Sequence, residues 1–207
     1  MICFYFNNAA TTIIDGGGLD RVFHILGGTV DISGLTIQNG STGGDLLGGA
    51  GIRNEGGTLT LNNSTVSGNT ACQGAGIFNE VGATLTITSS AISGNTNPCG
   101  GQGGGIRNNG TLTLTNSTVS GNAACRGGGI MNGPGGFGTL SSDTVSSNQN
   151  NCDGSGGPAG IASEGNTFTL KDTIIADNTD PGGPFGNCEA SSSMKRDIRV
   201  GTASRTA

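Results

Sequence analysis

The 207-residue chain has no Trp, one Tyr, one His and five Pro, and only 11% of its residues are charged. With so few large aromatic side chains there is little material for a thick conventional core. Intrinsic disorder is also excluded as a description of the whole chain, because disordered chains are rich in charge and Pro. No stretch approaches the roughly 18 apolar residues of a membrane helix. Met1 to Phe6 are apolar, but too short and without the basic flank of a secretory signal. The protein is therefore expected to be cytosolic or to lack its export signal here. Up to Cys188 the chain carries five Lys and Arg against 12 Asp and Glu, which argues against a nucleic-acid surface, since phosphate binding needs clustered cations. His24 is the single His and no CxxC spacing occurs, so neither a metal site nor a cofactor is expected.

What is there is small and repetitive. Gly (42), Thr (25), Asn (21) and Ser (19) together make up 107 of the 207 residues. The segment GAGIRNEGGTLTLNNSTVSGNTAC, Gly49 to Cys72, recurs from Gly74 to Cys99, from Gly103 to Cys125, more loosely from Gly127 to Cys152, and again up to Asn178. A half-copy lies at Gly27 to Gly40. The Ile residues at 52, 77, 106, 130 and 161 set steps of 25, 29, 24 and 31 residues. A period of that length is the signature of a solenoid.

Each copy holds three short runs in which apolar and polar residues alternate, as in Thr58-Leu59-Thr60-Leu61. That is the period of a strand with one buried face. Gly-Asn, Asn-Gly and Ser-Gly-Asn between the runs supply turns. Three short strands cannot bury their own inner face, whereas stacked copies can, each strand pairing in parallel with its equivalent one coil on. The fold class expected is all-β, a right-handed parallel β-helix of about six coils, on the order of 30 Å tall at about 4.8 Å per coil. The segments expected are an N-terminal cap (1–26), the β-helix repeats (27–188) and a disordered tail (189–207). Stacking would align Asn69, Asn95, Asn122, Asn148 and Asn178 in one rank and Asn54, Asn79, Asn108 and Asn132 in another, as ladders of amide hydrogen bonds.

The repeated pattern GGxI-x-N, GTLTL and STVSGN resembles the bacterial right-handed β-helix proteins related to the polymorphic outer-membrane-protein repeat. The segment from Thr11 to Ile25 is similar to the opening of such helices. The resemblance runs from about Thr11 to Asn178 and implies a secreted or cell-surface protein without specifying an activity.

Four Cys share one register: Cys72, Cys99, Cys125 and Cys152, at spacings of 27, 26 and 27. One coil apart, neighbours would have Cα atoms about 5 Å from each other, within disulfide reach. Cys72–Cys99 with Cys125–Cys152 is the preferred pairing, and a reduced ladder of packed thiols is the alternative. Oxidised pairs would place the protein outside the cytoplasm.

Catalysis would need clustered carboxylates. Asp143 and Asp172 each precede a Thr and an apolar run where earlier copies have Ser64, Ser90 and Ser117, so they are expected to stack as a weak candidate acid and base pair. Asn178-Thr179-Asp180 superficially resembles a polygalacturonase tripeptide, but the companion motifs of that family are absent. A more regular feature is the second strand, with Thr58 and Thr60, Thr84 and Thr86, Thr111 and Thr113, an interruption at Thr139 and Ser141, then Thr167 and Thr169. Outward Thr pairs spaced about 6.7 Å along a strand and 4.8 Å between coils form a flat lattice, which resembles the Thr arrays of ice-binding solenoids. Arg53, Phe78, Arg107 and Met131 share a further register that could form a cation–π ladder or a sugar-contact stripe.

The function expected is a non-catalytic extracellular or cell-surface scaffold, adhesin-like, presenting faces and loops to a surface, a glycan or other copies of itself. End-to-end self-association through open strand edges is possible in such a fold. The alternatives are ice binding through the Thr lattice and polysaccharide lysis or hydrolysis at Asp143 and Asp172.

Overall fold

A computed structural model describes residues 1–44, 48–152, 156–181, 186–190 and 194–197. Strands with turns between them account for the regular structure, and no helix occurs among the described residues. They form a parallel β-solenoid of six complete turns, three strands to a turn, with partial turns at both ends. One turn shows the plan: Ile77–Asn79 lies in sheet C, Thr84–Thr88 in sheet A and Ala91–Ser93 in sheet B. Each strand pairs in parallel with its counterparts in the turns before and after. Sheet A holds eight strands, and sheets B and C seven each.

The first 26 residues place one strand in each sheet, at Ile2–Tyr5, Ile13–Asp15 and Phe23–Ile25. At the other end, Cys188–Ala190 pairs in sheet C and Met194–Asp197 in sheet A. Parallel pairing thus runs into a segment where the repeat can no longer be read; the rest of the 189–207 tail lies outside the described residues.

Alternation puts every second strand residue inside, and parallel pairing stacks like upon like. Sheet C contributes Phe23, Ile52, Ile77, Ile106, Ile130, Ile161 and Cys188 as one column. Sheet A contributes two, one of them Ile32, Leu61, Ile87, Leu114, Leu140 and Leu170. Sheet B adds Ile37, Val66, Ile92, Val119, Val145 and Ile175. The central members are fully buried, each worth about 1.5–3 kcal/mol relative to exposure. The second sheet A column, Val30, Leu59, Leu85 and Leu112, reaches Gly138 and then Phe168. A Cβ at Gly138 would fall 2.1 Å from the Phe168 ring, so the missing side chain in one turn is filled by the large one in the next.

Two Asn ladders turn the corners. In the first, Asn69 donates to Asn95 (2.9 Å), Asn95 to Asn122 (2.9 Å), Asn122 to Asn148 (3.0 Å) and Asn148 to Asn178 (2.8 Å). In the second, Asn54 donates to Asn79, Asn79 to Asn108 and Asn108 to Asn132 at 2.7–2.9 Å. Asn122 shows why an amide is required there. Its Nδ2 donates to Ile92 O and Asn148 Oδ1, while its Oδ1 accepts from the N–H and the Nδ2 of Asn95. Both donors and both lone pairs are used, with the residue fully buried. The ladder also explains the second Gly of each GGI motif. A Cβ at Gly76 would lie 2.6 Å from Gly105 O and 2.9 Å from Asn95 Nδ2, and Gly51, Gly105 and Gly129 are equally crowded.

Candidate functional site

The sequence-predicted cystines form in the preferred pairing, Cys72–Cys99 and Cys125–Cys152, with Cα separations of 5.1 and 4.9 Å. Each clips one turn to the next, as the stacking argument requires. Cys3 and Cys188, at opposite ends of the solenoid, are free thiols.

The proposed carboxylate pair does not assemble. Sheet B pairs Val145 with Ile175, so the residue above Asp143 in its column is Thr173, and Asp172 falls one position back, level with Ser142. Asp172 is exposed at a corner with φ 46°, a left-handed position that Asn63, Ser89, Asn116 and Ser142 hold in earlier turns. Asp143 instead continues the Ser64–Ser90–Ser117 column. The hydroxyl of Ser90 accepts from Ser64 N–H (3.1 Å), that of Ser117 from Ser90 N–H (3.2 Å), and Asp143 accepts from Ser117 N–H (2.7 Å) and, through its other oxygen, from Ser141 N–H (2.7 Å). Burial raises its pKa, and these two backbone hydrogen bonds oppose the rise. A buried carboxylate with both oxygens committed to main-chain donors has a structural role in the corner. Asn178 of the polygalacturonase-like tripeptide belongs to the Asn ladder, and Asp180 accepts a hydrogen bond from Asn150.

The Thr residues do assemble, with more order than the sequence suggests. Thr60, Thr86, Thr113, Thr139 and Thr169 form one outward column over five turns of sheet A. Thr29, Thr58, Thr84 and Thr111 form a second, which meets Phe137 in the next turn; Thr167 precedes the strand after that. Register therefore places Thr139 beside Thr113 and Ser141 beside Thr115, one column over from a Thr58/Thr60 pairing. Thr88 and Thr115 belong to the third column, between Asn62 and Ser141. Phe137 is 49% exposed, and with Thr111, Thr113, Thr139, Thr167 and Thr169 it lines a shallow depression of about 250 Å³. Asp31 precedes Thr60 in the central column, so the uncharged lattice begins one turn in.

No family model matches this chain, and no curated protein or solved structure is significantly similar to it. The β-solenoid is what the structure establishes, and the surface must be read from its own chemistry.

Sheet B carries a second hydroxyl face that the sequence reading missed: Thr65 and Ser67, Thr118 and Ser120, Thr144 and Ser146 point outward, with Ala91 and Ser93 in the same columns. Its signal was present in each STVS segment, where Thr and Ser flank the buried Val. Sheet C is different in kind. Its outward column reads His24, Arg53, Phe78, Arg107, Met131 and Ala162. His24 meets Glu55 at 2.7 Å, a contact not foreseen from the sequence, and this hydrogen bond is the main cause that lowers the Glu55 pKa. Arg53 pairs with Glu80 at 2.6 Å, and Arg126 pairs with Glu164. The Arg107 guanidinium lies over the Phe78 ring, 5.6 Å from its centroid. The ion pairs are thus gathered around this face, while the central turns of the other two present hydroxyls, with Asp31, Lys171 and Asp15 only in their end turns.

Proposed function

We propose that the protein is a non-catalytic extracellular or cell-surface binding scaffold, and that the hydroxyl lattice of sheet A is its contacting surface. The observation that carries this reading is the column Thr60–Thr86–Thr113–Thr139–Thr169, unbroken over five turns. A hydroxyl array donates and accepts without a charge to desolvate, which suits a neutral polysaccharide surface. Phe137 adds an exposed ring beside the array, where the apolar face of a sugar can stack. The two cystines are consistent with an oxidising compartment, and the motif resemblance to outer-membrane-protein repeats points the same way.

The test is depletion of the protein by insoluble neutral polysaccharides such as cellulose and chitin. Adsorption should be reduced at least tenfold by Phe137→Ala and by Thr113→Lys, both outward-facing. Absence of adsorption by the parent protein, or adsorption by both variants equal to the parent's, overturns the reading.

Ice is the second reading, favoured by the block Thr58, Thr60, Thr84, Thr86, Thr111 and Thr113, where two columns run in register for three turns. Thermal hysteresis with faceted crystals, abolished by Thr111→Tyr, supports it. Round, freely growing crystals refute it.

A further inference from the structure

Sheet C contains a cation that the rest of the face does not neutralise. Along this face His24 meets Glu55, Arg53 meets Glu80 and Glu55, and Arg126 meets Glu164, while Arg21 donates to Gly48 O and sits near enough to Glu55 to help lower its pKa. Arg107 has no carboxylate within ion-pair distance among the described residues. Its Nη1 donates to the Gln73 amide oxygen, and its Nε is buried without a hydrogen-bond partner. Burial lowers its pKa from the ordinary arginine value, although a guanidinium stays charged at any physiological pH. An unneutralised guanidinium held against an aromatic ring and fixed by an amide is costly to maintain without a ligand.

Its surroundings define what would complete it. Arg53 and Arg126 are committed to glutamates, so the patch offers one unit of uncompensated charge, which suits a monoanion better than a phosphate dianion. Gln73 and Gln102 stand in one column beside Arg107, both half-buried, and Arg126 follows them. Side-chain amides that donate and accept, next to a planar fork of donors, match a group carrying hydroxyls and a carboxylate together.

We propose that sheet C carries a binding site for a carboxylate-bearing sugar of the uronic acid class, with Arg107 as the anion-recognising residue and Gln73 and Gln102 as hydroxyl partners. This site is separate from the sheet A lattice, and either can fail without the other. Phe78 acts as a positioning residue, holding the guanidinium in place and lowering the dielectric around it.

The experiment is isothermal titration of the oxidised protein with a tetragalacturonate and with its fully methyl-esterified counterpart, which keeps the skeleton and loses the charge. The acid should bind and weaken as salt is raised, whereas the ester should bind at least tenfold more weakly. Arg107→Met should lose at least tenfold in affinity with its melting temperature nearly unchanged, because Met131 occupies the next place in the same column. Arg107→Lys keeps the charge without the fork and should fall between the two. Arg53→Met should stay within about twofold of the parent. Equal binding of acid and ester, no binding of either, or an Arg53→Met loss as large as that of Arg107→Met overturns the proposal. The ester comparison uses the parent protein, so it decides even if Arg107→Met does not fold. Monomeric galacturonate and a peptide C-terminal carboxylate, added as competitors, separate a sugar site from a general carboxylate site: displacement by the peptide as effective as by the monosaccharide counts against the sugar assignment.

Discussion

Replacing Asn122 by Asp changes one NH2 group to an oxygen with no change in shape, and so isolates the contribution of the amide ladder. The two acceptances from Asn95 survive, because a carboxylate accepts as the amide oxygen does. The two donations, to Ile92 O at 2.9 Å and Asn148 Oδ1 at 3.0 Å, are lost, and the new oxygen faces both acceptors. Leaving a buried polar group unsatisfied costs about 1–3 kcal/mol, so two lost bonds cost about 2–6 kcal/mol at pH 7. Repulsion between the acceptors and burial of the charge add to this. Those same effects raise the folded-state pKa of the new Asp above its unfolded value of about 3.9. A raised pKa means that protons bind more tightly to the folded state, so stability is lost as pH rises through the folded pKa and regained as it falls. Urea unfolding followed by circular dichroism at pH 7 and pH 4 measures both. The expected result is a deficit of several kcal/mol at pH 7 that narrows at pH 4, where protonation restores one donor. A deficit below about 0.5 kcal/mol, or one independent of pH, would refute the ladder as a major source of stability.

Three further predictions follow from the same geometry. Each cystine closes a loop with a sequence separation of 27, for which the chain-entropy model gives about 3.5 kcal/mol per bridge; reduction should lower the urea midpoint accordingly, and non-reducing peptide mapping should find Cys72–Cys99 and Cys125–Cys152 peptides only. Gly138→Ala should destabilise by about 1–3 kcal/mol through overpacking against the Phe168 ring, and Gly138→Ala combined with Phe168→Leu should recover part of that loss, as read by thermal melts. Asp143→Ser should be tolerated, because Ser64, Ser90 and Ser117 already do the same work in that column, whereas Asp143→Asn turns an NH2 toward a main-chain N–H and should cost about 1–3 kcal/mol. Because burial raises the Asp143 pKa, the parent should gain stability relative to Asp143→Ser as pH falls from 7 towards the carboxylate range.

The fold was legible because the repeat writes the inner columns directly into the sequence. Ile, Leu and Val recur at fixed places, and an Asn or a Gly recurs wherever a corner admits nothing else. The errors came where a polar dipeptide was used as the ruler. Asp143-Thr144 and Asp172-Thr173 look equivalent in the sequence, yet the buried residues Val145 and Ile175 set the register and move Asp172 to the corner. Thr139 likewise belongs beside Thr113 and not Thr111, because Leu140 pairs with Leu114. The partnership of His24 with Glu55 spans 31 residues and joins adjacent turns off register, so no local pattern could reveal it. That Arg107 meets the Gln73 amide where Arg53, in the same column, meets Glu80 is likewise a property of stacking, invisible until the ranks are aligned.

The central claim is that sheet A is the working face. The most direct measurement is adsorption to insoluble polysaccharide of three variants, each altering a different face: Thr86→Tyr adds a ring to sheet A, Ser93→Tyr adds one to sheet B, and Arg53→Met removes a charge from sheet C. Thr86→Tyr alone should abolish adsorption, and all three variants should keep the parent's circular dichroism spectrum, with a lowered melting temperature only for Arg53→Met, which leaves Glu80 unpaired. Loss of adsorption with Ser93→Tyr or Arg53→Met, and its retention with Thr86→Tyr, would contradict that claim.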